Sequence, residues 1–108
     1  MIDYSDFEKV EMRVGTVLEA EIFEKAKKPA YILHIDFGEK GILKSSAQIT
    51  DHYTPESLVG RQVVAVVNFP SRQIANIKSQ CLVLGAVGEI GVVLLQPERA
   101  VANGLRIL

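Results

Sequence analysis

Tyr31-Ile32-Leu33-His34-Ile35-Asp36-Phe37, then Gly38-Glu39-Lys40-Gly41, then Ile42-Leu43-Lys44-Ser45-Ser46-Ala47, is the stretch that decides the fold class. Tyr31, Leu33, Ile35 and Phe37 alternate with Ile32, His34 and Asp36. A period of two places the first set on one face of a strand and the second on the other. The Gly-Glu-Lys-Gly segment reads as a turn, and residues 42–47 as the strand that returns beside the first. Working outward, Arg13–Ala20 is β-like, and Val63–Val67, Leu82–Val87 and Val92–Leu95 are apolar runs of strand length. Gly88-Glu89-Ile90-Gly91 reads as a hairpin connection between the last two.

Helical signals are short. Ser5 with Glu8 three residues on has the form of a capping box, and Thr54-Pro55-Glu56 offers a cap followed by proline at the first helical position. No helix of about 10–15 residues separates successive strands, as a parallel sheet would require. The expectation is a small all-β antiparallel barrel with short flanking helices. Val63-Val64-Ala65-Val66-Val67 and Val92-Val93-Leu94-Leu95 do not alternate, so both of their faces should be covered. A two-fold dimer would cover them, and so would the short helices and terminal segments.

The chain has 108 residues, 48% of them hydrophobic, with 12 bases, 13 acids and one cysteine. That length suits one domain over residues 1–108, which buries roughly two-thirds of its unfolded surface. Cys81 alone forms no internal disulfide, which points to a reducing compartment. Neither a secretory leader nor a membrane span is expected. Charge is segregated: residues 1–24 hold seven acids and two bases, while no acid lies between Glu56 and Glu89. A basic face on a near-neutral protein is therefore expected.

Enzyme signatures are poor. Ser45-Ser46 lacks the G-x-S-x-G context of a hydrolase nucleophile. Cys81 lies among strand residues, and His34 and His52 have no metal-ligand spacing. No glycine-rich phosphate loop is present, so neither cofactor nor metal is expected. Two segments are too polar or too mixed for plain structure. Lys44-Ser45-Ser46-Ala47-Gln48-Ile49-Thr50 offers a charge, hydroxyls and an amide suited to phosphates and sugars. Val67-Asn68-Phe69-Pro70-Ser71-Arg72-Gln73-Ile74-Ala75-Asn76-Ile77-Lys78-Ser79 carries two bases, no acid, and Phe69, Ile74 and Ile77. Those three either line a binding site or pack the loop onto the barrel. Lys25-Ala26-Lys27-Lys28-Pro29 reads as a solvated turn.

Met12-Arg13-Val14-Gly15-Thr16-Val17, Ile35-Asp36-Phe37-Gly38, Ser45-Ser46-Ala47-Gln48-Ile49-Thr50, Val67-Asn68-Phe69-Pro70, Lys78-Ser79, Leu82-Val83-Leu84-Gly85 and Leu94-Leu95-Gln96-Pro97 follow one another in an order that resembles the CsaA-type bacterial secretion chaperones. These are a branch of the tRNA-binding-domain family. The resemblance runs over essentially the whole chain. It implies a five-stranded Greek-key barrel of the oligonucleotide/oligosaccharide-binding (OB) type with terminal extensions, a homodimer, no catalysis and a cytoplasmic location. It also implies binding of unfolded or pre-secretory polypeptides in support of export, with tRNA as a further ligand. A dedicated tRNA-binding module without chaperone duty is the alternative. Lys44, Ser45, Ser46, Asn68, Arg72, Lys78 and Ser79 are the expected RNA contacts. Phe69, Ile74 and Ile77, with Arg72 and Lys78 as a basic rim, are the expected peptide contacts. Ser79-Gln80-Cys81-Leu82 stands where the wider family has a Ser-Glu-Gly-Met-like run. Asn76 stands where relatives place glycine, and asparagine tolerates a left-handed backbone.

Overall fold

A computed structural model describes residues 1–108. In chain order the elements are α1 (Tyr4–Glu8), β1 (Met12–Ile22), β2 (Tyr31–Asp36), a 3-10 turn (Gly38–Lys40), β3 (Ile42–Ala47), α2 (Pro55–Leu58), β4 (Gln62–Val66), β5 (Arg72–Ile74), β6 (Ile77–Ser79), β7 (Leu82–Val83), β8 (Gly85–Val87), β9 (Val92–Leu94) and β10 (Arg106–Ile107). The alternation in β2 is realised: Tyr31, Leu33, Ile35 and the following Phe37 are all buried in one apolar cluster. β3 pairs with β2 antiparallel, from Asp36 opposite Ile42 to Tyr31 opposite Ala47.

β3, β2, β1, β4 and β7 lie side by side in that order, and β1 is long enough to serve two neighbours. Its first half pairs with β4 and its second half with β2, with a register shift between Val17 and Glu19. A bulge of this kind bends the strand and lets a small sheet curl. The remaining gap, between β3 and the chain leading into β7, is bridged largely through side chains. Gln80 N–H donates to the Lys44 carbonyl at 2.8 Å, and Lys44 N–H donates to Gln80 Oε1 at 2.9 Å. Ser46 N–H donates to Ser79 Oγ at 3.0 Å, and Ser45 Oγ donates to the Cys81 carbonyl at 3.1 Å. The result is the expected all-β OB-type barrel, with two added hairpins, β5–β6 and β8–β9.

Thr54 caps α2 as expected: Ser57 N–H donates to Thr54 Oγ1 at 3.2 Å, and Thr54 N–H to Ser57 Oγ at 3.0 Å. The first helix begins two residues earlier than Ser5 implies. Asp3 is its cap, and Asp6 Oδ2 accepts the Asp3 N–H at 3.0 Å. A carboxylate at either position serves the same purpose as the expected Ser5–Glu8 pair.

The run in β4 is covered within the single chain. Val63 and Ala65 belong to the main cluster, while Val64 and Val66, on the other face, are also buried. The terminal segments run along this side of the barrel. Val14, paired with Val64, donates its N–H to the Leu105 carbonyl at 2.9 Å, and Gly104 N–H donates to the Val14 carbonyl at 2.7 Å. The apolar run of β4 therefore needs no partner chain, and the second of the two explanations for it is the correct one. β9 differs, because Val93 and Leu95 remain exposed. The run Leu82–Val87 is also not one strand. It breaks at Leu84, where the chain leaves β4 and pairs with β9 instead. Gly85 permits this: a Cβ there would lie 2.4 Å from Val92 Cγ1 and 2.9 Å from the Val93 carbonyl oxygen.

Candidate nucleic-acid and peptide interface

The segment after β4 is a hairpin, not a loop. β5 and β6 pair with Arg72 opposite Ser79, Gln73 opposite Lys78 and Ile74 opposite Ile77. Residues directly opposite share a face, so Arg72, Ile74, Ile77 and Ser79 point one way, Gln73 and Lys78 the other. The tight turn is made by Ala75, with φ of 48°. The left-handed residue is thus Ala75 and not Asn76. An alanine there carries a steric penalty that glycine would avoid.

Beneath this hairpin lies a groove of about 1140 Å³, lined by the β1–β2 loop, the end of β3, the β5–β6 hairpin, β7 and the start of the β8–β9 hairpin. Phe69, Arg72, Ile74, Ser46 and Ser79 of the expected site residues line it. Arg72 is joined by Lys25, Lys27 and Lys28, and no aspartate or glutamate lines the groove. None of these four cations is ion-paired within the chain. Other bases are engaged: Arg13 Nε lies 2.8 Å and Lys40 Nζ 3.2 Å from Glu11 Oε2. The hydrogen bond from Arg13, aided by Lys40 and opposed by burial, holds the Glu11 carboxyl below its ordinary range. No acid lines the groove itself, although Glu21 and Glu24 border Lys25 on its outer side.

The Lys25–Lys28 turn is the part sequence reasoning discounted. It joins the first two barrel strands, and in OB folds that loop, together with the one between the last two strands, flanks the ligand face. Its position between β1 and β2 was the available signal.

Other expected residues sit elsewhere. Ser45 is 1% exposed, and its hydroxyl closes the barrel on Cys81. A sealed hydroxyl cannot meet a phosphate, so the expected RNA contact at Ser45 is corrected to a structural one. Ser79 does reach the groove, although its Oγ already accepts from Ser46 N–H. Asn68 pins the leading segment: Nδ2 donates to the Lys9 carbonyl at 2.7 Å, and Oδ1 accepts from Glu11 N–H at 3.0 Å. Ile77 is buried with Phe23, Ala30 and Ile32, and therefore packs the hairpin onto the barrel, the other use its sequence context allowed. Lys44 stands opposite His34 on the outer face of β2–β3 and does not line the groove. Lys78 is on the far face of its hairpin from Arg72, so the two do not form one rim.

Cys81 lines the groove but is buried, and burial pushes its thiol up to about 12, against an opposing hydrogen bond involving Ser45. A thiol that stays protonated at neutral pH is a poor nucleophile. Gln80 and Cys81, where the wider family has acid and glycine, thus close the barrel and line the groove wall. No helix is long and apolar enough to cross a membrane.

Residues 12–106 match the family described as "Putative tRNA binding domain". The chain is similar over its whole length to two solved structures. Chaperone CsaA of Bacillus anthracis is 51% identical, with a TM-score of 0.95, and the match covers 100% of this chain and 99% of that one. The CsaA chaperone protein of Picrophilus torridus is 48% identical, also with a TM-score of 0.95, and the match covers all of both chains. Among curated proteins, the methionine–tRNA ligase of Methanosarcina mazei is 36% identical over 108 residues. That match covers 99% of this chain but only 15% of the ligase. The similarity is therefore to an appended segment of the ligase, and this chain carries no match to the remainder. On sequence and fold together, the chain belongs to the tRNA-binding-domain family and is of the CsaA type.

Proposed function

We propose that the groove beneath the β5–β6 hairpin holds extended polypeptide segments of unfolded or pre-secretory clients in the cytoplasm, supporting their export, and also takes tRNA on the same surface. One observation carries this reading: Phe69 and Ile74 line the same cavity as Arg72, Lys25, Lys27 and Lys28, with no acid among them. An apolar floor accepts side chains, and an unpaired cationic rim orients carboxylates or phosphates. The whole-length likeness to proteins named CsaA chaperone supports the polypeptide half, and the family match supports the RNA half. The proposed action is passive holding without nucleotide.

Equimolar protein is expected to suppress aggregation of a chemically denatured client without ATP, and excess tRNA to reverse that suppression by competition. Failure to suppress aggregation at equimolar or higher ratios removes the chaperone half. Suppression that tRNA leaves untouched removes the shared groove. The second reading, a dedicated tRNA-binding module, is favoured by the ligase similarity and would show the first of these failures with RNA binding intact.

A homodimer belongs to the same proposal. The β8–β9 hairpin leaves Val87 at 86% and Ile90 at 80% exposure, with Val93 and Leu95 also open on it. Val87 pairs with Val92 on one face of the hairpin and Val93 with Ala86 on the other, so a second copy would have to enclose the projecting hairpin from both sides. Mass measured against dilution is expected to show a dimer at micromolar concentration, and Val93→Lys to shift it toward monomer. A wild-type monomer at that concentration sinks the dimer.

A further inference from the structure

We infer that Phe69 is the stacking platform for a single unpaired base, so that the RNA this groove favours is a folded one presenting one unstacked nucleotide. The inference rests on the groove reading above and names its RNA class. Phe69 is 54% exposed and lines the groove together with the four unpaired cations. Of the other aromatic side chains, Phe23, Tyr31 and Phe37 are buried, and Phe7 and Tyr53 are partly covered. Tyr4 is exposed but does not line the groove. One ring is therefore available where the positive charge is.

That count decides between RNA classes. Binders of extended single strands stack base after base on successive rings, and this groove has one ring. Four cations around one ring instead match several backbone phosphates and one exposed base. No acid lines the groove, so a phosphate backbone seated in it meets cations without a carboxylate among them. Asn68, just before the ring, is pinned by its side-chain hydrogen bonds to Lys9 and Glu11, and Pro70, just after it, restricts the backbone, so the platform is held on both sides.

The test compares two RNA probes, a perfect duplex and the same duplex with one bulged 2-aminopurine nucleotide, on the full chain. The variants are Phe69→Leu, which keeps apolar volume but loses the ring face, and Phe69→Tyr, which keeps the face. Phe69→Leu is expected to weaken the bulged probe by about 5- to 150-fold, the range that base stacking supplies, and to leave the perfect duplex unchanged. Phe69→Tyr is expected to retain wild-type affinity, and the 2-aminopurine emission is expected to be quenched on binding by wild type and Phe69→Tyr only. An equal loss on both probes, or no loss, overturns the inference. So does a loss confined to apolar peptide, which would make Phe69 a peptide anchor. Arg72→Ala serves as the control on the groove itself. If it leaves duplex affinity and its salt dependence unchanged, the groove reading fails. If it weakens the duplex while Phe69→Leu does nothing, the groove stands and only the stacking role is lost.

Discussion

Replacing Lys25, Lys27, Lys28 and Arg72 together with alanine is expected to abolish most of the salt dependence of RNA binding. Each cation that neutralises a duplex phosphate contributes about 0.9 to the slope of log affinity against log salt, so four contribute about 3.6. Over a fourfold change in salt, a slope of that size corresponds to a roughly 150-fold change in affinity. The fold should survive, because all four side chains are exposed and none is ion-paired. Lys44→Ala and Lys78→Ala are the matched controls. Both remove a positive charge, but neither residue lines the groove, so neither should change the slope by as much as one contact. A quadruple variant with an unchanged slope and an unchanged melt would place the RNA on another surface. Apolar peptide binding should respond differently, holding or strengthening in salting-out salts as long as Phe69 and Ile74 remain.

The contrast between Arg72 and Lys78 also shows where sequence reasoning stops. The two residues are six apart, an even number, which on one continuous strand would put them on the same face. The turn at Ala75–Asn76 reverses the chain, and the observed pairing of Arg72 with Ser79 leaves Lys78 on the opposite face. No local pattern reveals this, because β5 and β6 have only three residues each and their turn rests on an alanine. Where the signal is local and repeated, the reading succeeds. β2 alternates over seven residues including Phe37, and its inner set is buried in the main cluster, while Ile32 on the other face is buried separately under the β5–β6 hairpin. β3 occupies the anticipated residues 42–47. Thr54-Pro55 starts a helix because its cap and its missing N–H are both decided within one turn.

The serines illustrate the other limit. A hydroxyl in a polar strand end suits a phosphate and equally suits a carbonyl across a seam. Which it meets depends on a segment more than thirty residues away, as with Ser45 and Cys81 or Ser46 and Ser79. Residue type was legible and partner was not. The Lys25–Lys28 turn fails for the same reason in reverse. Its charge is local, but its placement beside Arg72 comes only from closing the barrel.

Phe37→Ala is expected to be the most destabilising single change considered, by about 3–5 kcal/mol, since it removes a large, fully enclosed ring. For a domain whose total stability is of order 5–15 kcal/mol, a large share of the variant would unfold in mild denaturant. The ring sits against Gly15, where a Cβ would lie 2.7 Å from Phe37 Cδ1 and Cε1 and 2.6 Å from Ile35 Cγ2. Glycine is required there by contact and not by backbone conformation, because Gly15 is absent from the positive-φ residues. Gly15→Ala should therefore overpack the core and destabilise by about 1–3 kcal/mol. The two changes are coupled. The methyl of Gly15→Ala enters space that Phe37→Ala vacates, so the double variant should lose less than the two single losses combined, by about 0.5 kcal/mol or more. Rescue should remain incomplete, because Ile35 Cγ2 still opposes the new methyl. Urea unfolding at constant m-value measures all three variants. Strict additivity would mean that Gly15 and Phe37 do not share this contact. A loss below about 1 kcal/mol for Phe37→Ala would mean that the ring is not in the core, and with it would go the inner face read from residues 31–37.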